Sequence, residues 1–180
     1  MIIGSFRTTK RLGMKEALIK KWRKANVTSE KQYKKIVKKL AEKKNKKVLK
    51  QVGDINDQVF REMSCMDCAN CCKSIPPQLL KSDVKRISKH LGLSKQEFEY
   101  QYTVLDDDGD RVFNQSPCVF LQDDNACSIY EVRPEACREY PHTGNQRQFK
   151  DGLSWHAINT IYCPATYNIL ERMHALMKVK

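Results

Sequence analysis

The chain has 180 residues and a formal net charge of +12, with eight cysteines and only seven glycines. That length supports one domain with an extension, and a core that does not depend on disulfide staples. There is no Gly-x-Gly-x-x-Gly run, no Gly-rich loop ending in Lys-Ser/Thr and no stretch near the roughly 18 apolar residues of a membrane span, which excludes dinucleotide fingerprints, phosphate-binding loops and membrane helices.

The charge is unevenly spread. Residues 1–50 hold 18 Lys and Arg against 3 Glu, a balance of +15, whereas residues 51–180 hold 15 against 18 acidic residues, a balance of −3. The opening "MIIGSFRTTK" has an apolar patch too short for a secretory signal. The expectation is a soluble, cytoplasmic protein, and in that reducing compartment eight cysteines point away from structural disulfides.

In chain order, residues 14–25 read as a short basic helix with Leu18, Ile19 and Trp22 on one side. A second helix begins at "NVTSEKQ", where Ser29 and Gln32 have capping-box spacing. Tyr33, Ile36, Val37 and Leu40 follow at helical intervals. The stripe fails through "AEKKNKK" and resumes at Val48, Val52, Ile55, Val59 and Met63. This predicts one long or broken helix, its second half packed on the domain and its first half free to project.

Past residue 72, "SIPPQLL" is extended, because paired prolines oppose helix. "KSDVKRISKHLG" reads as a helix with Ser82 at its N-cap, Val84, Ile87 and Leu91 inward, and Gly92 closing it. Ser94 and Glu97 open another helix. "DDDGDRVF" is a turn leading into a strand; read as a calcium loop it would place Val104 and Gln115 where carboxylates are required. "CVFL" and "CSIY" suggest a hairpin. Pro134 and Pro164 each suit the first position of a helix. The whole is read as α+β: a basic helical extension over 1–55, then a small cysteine-rich metal-binding domain over 56–180 with short helices and a hairpin.

The cysteines are Cys65, Cys68, Cys71, Cys72, Cys118, Cys127, Cys137 and Cys163. Cys65-x-x-Cys68-x-x-Cys71 is the informative core, because two intervening residues let a tight turn aim successive thiolates at one centre. The spacing suits an iron–sulfur cluster, with [4Fe–4S] favoured, at least as well as a zinc ion. Neighbouring side chains usually diverge, so Cys72 is expected to face away from the loop that carries Cys71: the two either serve different centres, or one is a ligand and the other a buried or redox-active thiol. Cys65, Cys68 and Cys71 are then candidate ligands, with a fourth from Cys163 or from the group Cys118, Cys127 and Cys137. Taken singly, each of these later cysteines reads as a small buried hydrophobe, and only their context makes them ligand candidates. Arg133 and Arg138 flank Cys137, and either could neutralise a thiolate centre or bind an anion; Arg133 could instead pair with Glu131 or Glu135. His142 could serve as an alternative metal ligand, although it reads first as a solvated or capping histidine.

"CMDCANCC", "SPCVFL" and "CSIYEVRPEACREYPH" together resemble the Cys-x2-Cys-x2-Cys-Cys cysteine-cluster family of YkgJ type, described as a zinc- or iron-chelating domain. The likeness covers residues of about 60 to 165. It implies that Cys65, Cys68, Cys71, Cys72, Cys118, Cys127 and Cys137 are metal or iron–sulfur residues, and Cys163 sits where a late cysteine is common. Relatives that methylate flagellin lysines add an enzymatic activity to such a module, and this chain shows no separate cofactor-binding domain for it. Two other classes stay open beside a plain metalloprotein: a cluster-dependent enzyme, and a zinc-stabilised module whose basic arm binds nucleic acid or an acidic protein.

Overall fold

The computed structural model describes residues 16–25 and 30–179. It is mostly helical, with one two-stranded antiparallel sheet among the described residues. The chain divides into two compact units, one formed by Met1–Cys68 with Pro141–Lys180 and the other by Ala69–Tyr140. No helix among the described residues is long and apolar enough to cross a membrane.

The first unit is built from α1 (16–25), α2 (Lys31–Leu40), α3 (Lys46–Leu49), α4 (Val52–Glu62), α9 (Gln146–Asp151), α10 (Leu153–Tyr162) and α11 (Pro164–Lys178). The apolar stripe drives this assembly. Tyr33, Ile36, Val37 and Leu40 of α2 are buried in one cluster with Val52, Ile55 and Val59 of α4 and Ile169, Leu170 and Met173 of α11. Directional bonds fix the register: Trp22 Nε1 donates to the Thr160 carbonyl at 2.8 Å, Tyr33 Oη donates to Glu171 at 3.1 Å, and Asn168 Nδ2 donates to the Leu18 carbonyl at 3.3 Å. The helix over Lys31–Leu40 therefore packs along its whole apolar face instead of projecting, because α10 and α11 cover it. The break through "AEKKNKK" is real: Lys43–Asn45 form a 3-10 turn between α2 and α3. Ser29, half of the expected capping box, lies outside the described residues.

The second unit contains α5 (Asn70–Ser74), α6 (Lys81–His90), α7 (Lys95–Tyr102), β1 (Thr103–Leu105), β2 (Arg111–Phe113) and α8 (Glu135–Glu139). Its separate core comprises Leu79, Val84, Ile87, Phe98, Phe113, Phe120 and Ile129. β1 and β2 pair antiparallel, Val104 opposite Val112, around the "DDDGD" turn. Asp106 Oδ1 accepts from the backbone N–H groups of Asp108 at 3.1 Å and Asp110 at 2.9 Å, and Gly109 supplies φ +82°. The α7 capping box forms in both directions, Ser94 N to Glu97 at 2.8 Å and Glu97 N to Ser94 Oγ at 3.2 Å.

Two local expectations change. Asp83, not Ser82, closes the start of α6, its carboxylate accepting from Leu80 N at 2.9 Å. The "CVFL"/"CSIY" hairpin shrinks to one bridge, between Leu121 and Cys127. Pro117 has no N–H to give a ladder, Cys118 N is committed elsewhere, and Asn125 turns the chain at φ 65°.

Candidate metal centre

In the first unit Ser64 N donates to the Asp67 carboxylate at 2.7 Å, and Cys68 N donates to the Cys65 carbonyl at 3.3 Å, which winds Cys65–Asp67 into a tight 3-10 turn. Cys65 is exposed and Cys68 is half-buried. Cys163, at the start of α11, has its thiol pushed up by burial; the Thr166 N–H and hydroxyl oppose that shift, and Cys68 adds to it. Cys68 and Cys163 are thus electrostatic neighbours inside this unit.

The second unit opens on Ala69, whose left-handed backbone (φ 48°) is uncommon for a residue with a Cβ and turns the chain sharply into α5. α5 carries Cys71 and Cys72. Their thiols do not diverge: Cys71 donates to the Cys72 sulfur, and this bond leads the causes that bring Cys72 down to about 7. Three further bonds tie α5 to the segment carrying the next thiols. Cys118 N donates to the Cys72 carbonyl at 2.8 Å, Ser116 Oγ donates to the Lys73 carbonyl at 3.1 Å, and Lys73 Nζ donates to Asn125 Oδ1 at 2.7 Å.

Cys137 arrives from α8. Its thiol is pushed up to about 12, first by burial, then by the negative charge of Cys72, Cys118 and Cys127 as thiolates, with Arg133 opposing. Cys118 is raised by burial and also by Cys72 and Cys127. Thiols from α5, two loop positions and α8 therefore act on one another's ionisation within one unit: Cys72, Cys118 and Cys127 on Cys137, and Cys72 and Cys127 on Cys118.

Asp83 and Arg86, which the sequence reading did not single out, hold the approach to α8. Asp83 is fully buried and accepts from Glu135 N at 3.1 Å. Arg86 donates to the carbonyls of Val132 at 3.3 Å and Arg133 at 2.9 Å. The signal was present as an i, i+3 acid–base pair in "DVKR". Arg133 itself lies over the Tyr130 ring, 3.8 Å from its centroid, and so stacks on an aromatic face. Arg138 is exposed. His142 sits at φ 61° with its ring 6.1 Å from Trp155, in the first unit.

Among the described residues no three His, Cys, Asp or Glu side chains converge as a closed metal-binding group. The donor chemistry nevertheless fits zinc or iron: soft thiolates are what these metals take in cysteine-rich sites, and a cation would offset both the burial and the thiolate repulsion that raise Cys118 and Cys137.

Residues 64–160, more than half of the chain, match the family model CxxCxxCC, described as "Putative zinc- or iron-chelating domain". The chain belongs to this family. An uncharacterized protein of Methanocaldococcus jannaschii is similar, 28% identical over 113 residues, and the match spans 57% of each chain. No solved structure matches. Of the eight cysteines, all except Cys163 fall within the family's span.

Proposed function

We propose that this CxxCxxCC protein binds its metal through two groups of cysteines. The observation that carries the reading is that Cys72, Cys118 and Cys127 all act electrostatically on Cys137, and Cys72 and Cys127 on Cys118. Four thiols drawn from separate segments into one small unit have no packing purpose that a valine would not serve, and four is the number a tetrahedral thiolate site needs. This group suits one zinc or iron ion. The tight turn of Cys65 and Cys68, with Cys71 at the next interval, has the spacing of a cluster-binding loop, which supports an iron–sulfur cluster, [4Fe–4S] in the first instance. Cys163, beside Cys68, is the remaining candidate ligand.

Within the second unit the chain's own residues act as a scaffold. Lys73, Ser116 and Asn125 fasten α5 to the loops, and Asp83 with Arg86 fastens the segment leading to α8. A bound metal would supply charge neutralisation and a covalent cross-link between these segments.

Anaerobic purification with metal and sulfide analysis and a visible spectrum tests the reading. Zinc near one per site and about four irons with matching sulfide are easily told apart. A colourless, metal-free, folded protein with eight titratable thiols would falsify it.

A further inference from the structure

The lysine-rich segment is built into the first unit, its apolar side buried and its lysines exposed. Between residues 31 and 50 lie ten lysines, all exposed, against one carboxylate, Glu42, with Glu30 just before the span. Glu30 pairs with Lys34 and Glu42 with Lys44. On α2, Lys31, Lys35, Lys38 and Lys39 share the side opposite the buried stripe of Tyr33, Ile36, Val37 and Leu40. The face extends beyond one element. His174 of α11 is held below its ordinary value first by burial and then by Lys178, with Glu171 opposing and Lys39 acting in the same direction as Lys178. Cations from α2 and from the end of α11 therefore act on the same group, beside the Glu171 carboxylate, which is bonded to Tyr33.

A helix face that is merely solvated gains stability by alternating its signs at i, i+4. This face does the reverse: like charges sit at i, i+4 (Lys31 and Lys35, Lys35 and Lys39) and repel one another. Its partner should carry closely spaced negative charge. The chemistry favours a phosphate backbone over an acidic protein. Protein interfaces need an apolar or aromatic core and are poor in lysine, and here every large apolar side chain of α2 points inward. Trp22 is half-buried with its N–H spent on Thr160, so it offers no stacking platform for bases.

We propose that the lysine face of α2, α3 and the end of α11 binds nucleic acid through the phosphodiester backbone, without reading sequence. The contact is a point-charge one, so it tolerates Arg for Lys and weakens steeply with salt.

The test is fluorescence anisotropy with the full metal-loaded chain, labelled mixed-sequence duplex DNA and labelled single-stranded RNA over a range of salt, with polyglutamate as competitor. The wild type should bind both nucleic acids with log-linear salt dependence. The K31Q/K35Q/K38Q/K39Q variant should bind at least about tenfold more weakly and lose about one unit of salt slope per lysine. The same four positions as Arg should restore binding, which separates lost charge from lost fold. A K81Q/K85Q/K89Q variant of α6 should bind like wild type. Unchanged binding by the first variant, equal loss in the α6 variant, or polyglutamate competing as well as unlabelled nucleic acid overturns the proposal. Preference for one nucleic acid over the other identifies the source of the phosphates and supports it.

Discussion

Arg86 reaches Asp83 one turn back along α6, and between them they hold four backbone groups: the N–H groups of Leu80 and Glu135 on the acid, the carbonyls of Val132 and Arg133 on the base. The acid is fully buried and the base partly exposed. Removing one member leaves the other charge and its backbone partners unsatisfied. Asp83→Ala is expected to cost about 3–5 kcal/mol of stability, the usual consequence of breaking a buried pair. Denaturant unfolding of the isolated variant checks this, and a loss under about 1 kcal/mol would show that the pair does not hold the approach to α8.

Serine in place of Cys72, Cys118, Cys127 or Cys137 should lower the metal-to-protein ratio by the same increment in each case, because each removes one ligand of one set. Elemental analysis of the four variants reads this directly. Full metal retention in Cys137→Ser would remove that residue from the set.

His156 gives the fold a defined acid sensitivity. It is fully buried, stacks on Phe149 at 4.2 Å between ring centroids, and has Nε2 2.8 Å from the Phe149 carbonyl. Burial, with His142 adding in the same direction, holds it down to about 4 from an ordinary value of 6.5. The unfolded chain then binds the extra proton between these values, so stability rises with pH across that window. The contribution is complete above pH 6.5 and is lost as pH falls toward 4, worth about 3 kcal/mol from the size of the shift. Denaturation midpoints of wild type and His156→Phe across this range should converge at the acid end. Parallel curves would assign the acid sensitivity to other groups.

Gly152 owes its identity to the same histidine. A Cβ built there would lie 3.0 Å from Cε1 and 3.1 Å from Nε2 of the imidazole, and 3.3 Å from the Gln148 carbonyl. Its backbone angle is ordinary (φ −92°), so the objection is overpacking alone. Gly152→Ala is expected to cost about 1–3 kcal/mol. Thermal melting of Gly152→Ala in a His156→Ala background should recover part of that loss; equal costs in both backgrounds would place the clash elsewhere.

What was legible in the sequence was what periodicity and spacing encode. The stripe from Tyr33 to Leu40, the Ser94–Glu97 cap, the Asp-Gly turn and Pro164 at the head of α11 are local signals, and the fold honours them. The CxxCxxCC family was legible from its cysteines. The helices over Gln146–Asp151 and Leu153–Tyr162 escaped notice, because their buried positions include His156, Asn159 and Thr160, polar residues that blur an apolar period. The shared bond of Cys71 and Cys72 and the Asp83–Arg86 clasp also escaped. The first defies the usual divergence of neighbouring side chains, and the second depends on partners some fifty residues away in the chain.

The first unit is discontinuous in sequence: the chain leaves it after Cys68 and returns at Pro141. Trp22 and Tyr33 each wait for a bonding partner 138 residues further on. During synthesis the apolar stripes of α1 and α2 must therefore stay uncovered until the whole second unit and then α10 and α11 have been made. Such long-range closure is slow and leaves hydrophobic surface open to wrong partners. The dense lysines beside those stripes give the nascent segment a like-charged coat, which keeps unfinished chains apart until their C-terminal helices arrive.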